Sequence, residues 1–250
     1  SYFAGRTPDR FYIGNQFCHL LFPERKLLFE IIEKAAAEQV EITLVFSYIR
    51  EYMLDYITEL LDEINRWCEE KRQSVEIVVS DWGMASLVKK SRRNLIPTLG
   101  ILLNKRRKDP RIPFKKGEQK WFERNSLNAG FYRNFLEREY GIQRFEWESC
   151  GYEQQIPPGK NSLHIPFYQT NTSQYCPLGA VCETGERGGQ KLAKKCPGYC
   201  TEYAFLYPEH LHMMGRYNSL FGIDMRILKE EEILKNYIQN GVDRVVIRAW

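Results

Sequence analysis

The sequence predicts an α/β fold built on a parallel barrel, open or closed, with a cysteine-rich metal-binding insertion late in the chain. Three observations predict it. Apolar strand-like runs alternate with amphipathic helical stretches at the spacing of βαβ units. The strand-like runs number about seven or eight, which a barrel accommodates better than a five-stranded doubly wound sheet. Four cysteines are bunched between Tyr175 and Cys200 as C-x5-C-x13-C-x3-C.

In chain order, Arg10–Gly14 (RFYIG) is the first short strand. Glu24–Glu38 reads as a helix, with Leu27, Leu28, Ile31 and Ile32 as its apolar face and Ala35–Ala37 as a close-packed end. Glu41–Tyr48 (EITLVFSY) is almost wholly apolar, as suits a parallel strand buried on both sides. Glu51–Glu70 is a long amphipathic helix and Val75–Ser80 (VEIVVS) a third strand. Asp81 stands where it can cap a further helix running to Lys90. A fourth strand lies within Leu95–Leu103, followed by a long connection marked by Pro110 and Pro113. Asn128–Glu139 is helical, Ile142–Trp147 (IQRFEW) a strand, and Pro157-Pro158-Gly159 a turn. Leu163–Tyr168 (LHIPFY) reads as one strand delivering the chain to Cys176, with His164 a core histidine rather than a ligand. Beyond the cysteines, Thr201–Tyr217 is rich in aromatics and Met. A helix near Lys229–Gln239, stopped by Gly241, and a last strand at Val242–Ala249 close the chain.

At 250 residues, 43% hydrophobic and 27% charged, the chain can bury a full core, and one domain over residues 1–250 is the expectation. No run of eighteen apolar residues and no signal peptide is present, so a cytoplasmic address is expected. The opening SYFAGRTPDR reads as an internal stretch rather than a natural start. The net charge of +4 does not by itself indicate nucleic acid. The basic clusters Lys89-Lys90 with Arg92-Arg93, Lys105–Lys108 and Lys115-Lys116 suit either a solvated surface or an anionic small molecule, an RNA or an acidic partner face. No RNA-binding signature accompanies them. Dinucleotide and P-loop motifs are absent, as are the G-x-S-x-G elbow and the zincin HExxH; His210 and His212 do not match the latter.

The segment 175–200 carries the clearest chemistry. Two tight pairs of thiols, Cys176/Cys182 and Cys196/Cys200, flank a Gly- and Lys-rich loop, and short loops bring soft ligands together at low entropic cost. An iron–sulfur cluster and a zinc site both fit, with metal-free thiols as the alternative. Cys18, Cys68 and Cys150 are scattered. In parallel α/β folds chemistry gathers at the strand C-termini. Cys18, Asp81 and Trp82 fall just beyond strand ends and Ser47 at the end of the second strand, and these four are the candidates outside the cysteine segment. Asp81 has a helix cap as its competing role, and Trp82 a place in the core.

The stretches FYIGNQFC (Phe11–Cys18), VVSDWG (Val78–Gly83) and LGILLNKRRKDPRI (Leu99–Ile112), with the cysteine stretch closing in C-x3-C, resemble in order and spacing the peptidase U32 family. Within it the likeness is to UbiV-like proteins of oxygen-independent ubiquinone hydroxylation. It runs from about residue 10 to the end, the last hundred or so residues matching mainly at the cysteines. The resemblance implies an incomplete or distorted TIM-like barrel and a cysteine-ligated 4Fe-4S cluster. It also implies a component of an oxygen-independent hydroxylase, or of a related redox or RNA-modification enzyme, rather than a protease. A second U32-family subunit is the implied partner, though the divergent late segments speak against ubiquinone as the pathway. A non-catalytic, metal-stabilised subunit is the alternative, and a U32-type protease a further one, against which the missing G-x-S-x-G and zincin motifs speak. In the UbiV-like pattern one ligand lies early and three lie late. Cys18 falls at the early place and Cys196 and Cys200 at the final two, with Cys182 or Cys176 the remaining one. Spacing favours the four local thiols and the resemblance favours Cys18, so five cysteines compete for four places. For a hydroxylase, the catalytic candidates Asp81 and Trp82 would lie on the rim of the cluster cavity, Trp82 stacking a planar substrate.

Overall fold

Short β-branched and aromatic runs form the strands, and the helices between them bury one stripe each. In the computed structural model, which describes residues 7–89, 92–107, 120–188 and 192–248, these elements make a mixed α/β fold. Lys90, Lys108, Lys115, Lys116, Pro110, Pro113 and Ala249 lie outside the described residues. The chain divides into two compact units, Ser1–Leu103 with Arg133–Gln143, and Asn104–Tyr132 with Arg144–Trp250.

The first unit follows the expected alternation. Strand β1 (Arg10–Gly14), helix α1 (Arg25–Ala37), β2 (Glu41–Val45), α2 (Leu54–Lys71), β3 (Val75–Val79), α3 (Trp82–Lys89) and β4 (Leu95–Leu99) succeed one another. Their strands pair in sequence order, all parallel, so their C-terminal ends share one side. Every residue of β2 after Glu41 is buried, as a strand covered on both faces requires. Helix α1 buries Leu28, Ile32 and Ala35, spaced i, i+4, i+7, whereas Leu27 is half exposed. The apolar face is therefore narrower than the expected Leu27/Leu28/Ile31/Ile32 set. Helix α2 buries Ile57, Leu60, Leu61, Ile64, Trp67 and Cys68, each fully buried Leu or Ile stabilising by roughly 1.5–3 kcal/mol. Gly14, at φ +106°, sits against the Val45 carbonyl, where a Cβ would come within 2.3 Å. No side chain fits there.

The second unit has two sheets. Helix α4 (Lys120–Glu123) and the start of α5 (Gly130–Tyr140) precede β5 (Arg144–Glu148), β6 (Lys160–Ile165) and β7 (Phe167–Thr172). Helix α6 (Pro177–Thr184), β8 (Phe205–Leu206), β9 (Met213–Arg216), β10 (Ser219–Ile223), α7 (Met225–Lys229), α8 (Glu231–Gln239) and β11 (Arg244–Ile247) follow. Strands β5, β6 and β11 are parallel, in that order, while β7-β10-β9-β8 form an antiparallel sheet. The expected single strand Leu163–Tyr168 is thus two strands of different sheets. Pro166, which lacks an amide hydrogen and cannot continue a ladder, separates them. The parallel trio is locked at its N-terminal end. Arg144 pairs bidentately with Asp243 (2.8 and 2.7 Å), whose Oδ1 also accepts the Asn161 N–H (2.8 Å). The Asn161 side chain in turn accepts from Trp147 Nε1 (2.8 Å) and donates to the Gly241 carbonyl (2.8 Å). Among the described residues no helix is long and apolar enough to cross a membrane.

Candidate metal centre

The four thiols of the cysteine segment lie in the second unit. Cys176 occupies the N-cap position of α6, with Pro177 at its first turn, so the chain turns sharply on this residue. Its sulfur accepts the Gly179 N–H (3.3 Å), and its thiol donates to the Tyr217 carbonyl at the β9–β10 turn (3.2 Å). Cys196 accepts the Gly198 N–H at 3.4 Å. Gly198 has φ +86°, a left-handed conformation that glycine adopts without strain, and the turn Tyr199–Thr201 follows it and buries Cys200. Arg216, at the end of β9, holds the Cys200 carbonyl through Nε (2.7 Å). Both ends of the segment are thereby tied to one hairpin.

The sulfurs also sense one another. Burial pushes the Cys176 thiol up, backbone N–H groups of Gly179 and Leu178 pull it back, and Cys196 and Cys182 push it up further. Burial likewise raises Cys200, with Cys176 and Cys196 adding to it. Cys182 and Cys196 are exposed. Raised in this way the Cys176 and Cys200 thiols hold their protons, and an all-sulfur donor set is the kind that iron–sulfur or zinc chemistry uses. Backbone N–H groups aimed at sulfur are a feature that tunes such clusters. Among the described residues no group of three or more His, Cys, Asp or Glu side chains is arranged to hold a metal ion.

The other candidates fall in the first unit or in its core. Cys18 follows β1, its N–H held by Asn15 Oδ1 at 3.0 Å. Cys68 is fully buried in α2, and burial with the neighbouring Glu69 pushes it up to about 11, so it is a packing residue. Ser47 is buried two residues past β2. Asp81 caps α3: Oδ1 accepts the Met84 N–H (2.8 Å) and Oδ2 accepts the Ile49 N–H (2.5 Å). Trp82 is 40% exposed and stacks on Tyr140, with centroids 5.4 Å apart. Asp81 thus ties the segment after β2 to the helix after β3, and Trp82 offers an open ring beside it.

A second constellation escaped sequence reasoning. Glu146 and Glu148 are fully buried on one face of β5, with His164 of β6 hydrogen-bonded to Glu146. Glu148 pairs with Arg106 at 3.3 Å, both side chains shielded from solvent. Burial works against the Arg106 charge, but Cys150, Glu148 and Tyr152 around it outweigh that and strengthen its hold on the proton. Arg248, just past β11, lies 3.7 Å from the other Glu148 oxygen, and burial lowers its pKa. Alternating charges along a strand ordinarily mark a solvent face, and here that face is inside. The signal that could have found them is the strand type, since a parallel strand covered on both faces has no solvent face to offer.

No family model, no curated protein and no solved structure matches the chain.

Proposed function

We propose that Cys176, Cys182, Cys196 and Cys200 hold a 4Fe-4S cluster, and that the chain is a component of an oxygen-independent hydroxylase or related redox or modification enzyme. The observation that carries the reading is that these four thiols lie close in sequence within one unit, two of them already accepting backbone N–H groups. The tight local spacing favours this set over Cys18, the early ligand that the U32 resemblance implies. When bound, the cluster would supply one-electron chemistry. The chain's own part is to fix the sulfurs through the α6 N-terminus and the β9–β10 hairpin. The incomplete TIM-like barrel and the second U32-family subunit belong to the same proposal, and the parallel strands of each unit support the former.

The test is anaerobic purification with iron, sulfide and zinc analysis. The expected result is a brown protein with about four irons per chain, bleached by air. Cys196→Ala and Cys200→Ala each lose most of the iron, while Cys68→Ala and Cys18→Ala keep it. Zinc without iron would sink the cluster, and iron loss in Cys18→Ala would return that residue to the ligand set.

A further inference from the structure

Helix α6 divides the four thiols into three and one. Cys176 stands at its N-cap and Cys182 six residues on, within its last turn. Two ligands on one helix reach a common centre at i, i+3 or i, i+4, as the HExxH pair does. Six residues carry the chain about 9 Å along the axis and about a third of a turn out of phase, so these two sulfurs do not face one centre. The helix is closed at both ends. At its start the Cys176 sulfur accepts the Gly179 N–H and Pro177 fills the first position. At its end Gly185, at φ +74°, sends its N–H to the Val181 carbonyl (2.9 Å), and Thr184 Oγ1 donates to the Ala180 carbonyl (2.8 Å). Leu178 and Ala180 are buried along it. Bringing Cys182 round to Cys176 would open that last turn and give up both bonds.

The other three thiols need no helix broken. Cys176 and Cys200 are tied to consecutive residues of one hairpin, Cys176 through its thiol to the Tyr217 carbonyl and Cys200 through its carbonyl to Arg216. Cys196 lies outside helix and strand, four residues before Cys200. Helix α6 packs against the turn Tyr199–Thr201 that carries Cys200. The sulfurs act on one another in the same order: Cys200 feels Cys176 and then Cys196, and Cys176 feels Cys196 before Cys182. Among the described residues no three side chains are yet arranged round a metal. For Cys176, Cys196 and Cys200 the remaining change is the closing of a loop and a short turn.

We infer that Cys182 is the exchangeable member of the set: Cys176, Cys196 and Cys200 retain the cluster without it, and its place is open to a ligand from outside the segment. The inference rests on the proposed cluster and says what kind of centre it is. Metal centres that bind a substrate keep one such position, whereas those that only hold a fold are closed by protein ligands. The solvent exposure of Cys182 puts the open position on the outer side of α6.

The test is anaerobic labelling of the iron-loaded protein with iodoacetamide, read by mass spectrometry of the cysteine peptides and by iron content. Cys182 is alkylated, Cys176, Cys196 and Cys200 are protected, and the iron stays. Cys182→Ala, at an exposed helical position that alanine suits, keeps at least about three irons per chain, where Cys196→Ala loses most. Protection of Cys182 alongside the other three overturns the inference, and so does labelling of all four alike. Loss of the iron on alkylation of Cys182, or in a folded Cys182→Ala, overturns it as well. Should Cys182→Ala misfold by circular dichroism, the labelling of the wild type still decides. A wild-type protein that takes up no iron overturns the cluster and this inference together, whereas bound iron with Cys182 protected overturns this inference alone.

Discussion

Replacing Glu148 by Gln removes one charge and almost no volume, so its cost isolates the electrostatics of the second unit. The Glu148 side chain is fully buried and that of Arg106 nearly so, at 3.3 Å, which leaves solvent little part in the balance. Breaking a buried pair by removing one partner typically costs about 3–5 kcal/mol, because the other charge stays behind uncompensated. Gln has one amide oxygen for the two donors, the Gln169 N–H and Arg106, that Glu148 meets through separate oxygens, so one of the two bonds is lost as well and the expected loss is at least about 3 kcal/mol. With a urea slope near the top of the usual range, roughly 3 kcal/mol/M, the midpoint falls by about 1 M. Two units need not unfold in one transition, so hydrogen exchange at β5 and β6 should locate the loss there. Arg106→Met should cost less, about 2 kcal/mol, since Arg248 remains 3.7 Å from Glu148. The double variant should cost at least about 1 kcal/mol less than the sum of the two. A Glu148→Gln loss below about 0.5 kcal/mol, the level of an ordinary surface change, would refute the reasoning.

Two further outcomes concern the first unit. His19, hydrogen-bonded to the Tyr52 hydroxyl at 2.8 Å, has its pKa lowered by burial and by Arg50. The unfolded chain then takes up a proton first, so stability present above about pH 6.5 is lost as pH falls through the folded-state value. His19→Gln should flatten that acid limb in urea midpoints between neutral and mildly acidic pH, and an unchanged slope would mean other groups set it. Asp81→Ala should cost about 2 kcal/mol, one part for the helix cap and one for the Ile49 N–H, whereas Asp81→Asn, whose one amide oxygen can serve only one of the two N–H groups, should cost about 1 kcal/mol. Equal losses in thermal melts of the two would mean that the carboxylate charge, not the capping oxygens, matters.

The first unit was legible because its signals agree. Apolar five-residue runs, helices with a single buried stripe and Asp81 at a helix start each point to a parallel α/β arrangement, and that arrangement is present. The second unit was harder for identifiable reasons. In LHIPFY the apolar pattern continues unbroken across Pro166, and only the missing amide hydrogen marks the change of sheet. Strands β8 and β9 are two and four residues long, too short for a period to show. In RFEWE the residues alternate as a half-solvated strand would, yet all five are buried. Which partners neutralise Glu146 and Glu148 depends on Arg106, His164 and Arg248, drawn from three distant stretches of chain. The cysteine segment stood out by composition alone. Its helix α6 did not, because Pro and Gly weaken the propensity that Cys176 and the first turn supply through capping.

The β9–β10 hairpin connects the two features of the second unit. Tyr217 sits at its turn with φ +56°, a left-handed conformation that costs a side-chain-bearing residue about 1–3 kcal/mol unless its surroundings hold it. The surroundings are on both sides of it. Its carbonyl accepts the Cys176 thiol, and the preceding Arg216 holds the Cys200 carbonyl. Its ring meets Phe221 edge-on at 6.3 Å, and the guanidinium of Arg248 lies 5.5 Å from the centre of that Phe221 ring. Gly222, next along β10, leaves room for the Tyr168 ring, since a Cβ there would come within 2.2 Å of it. One two-residue turn is therefore packed between the thiols and the buried charges, with a strained residue at its centre.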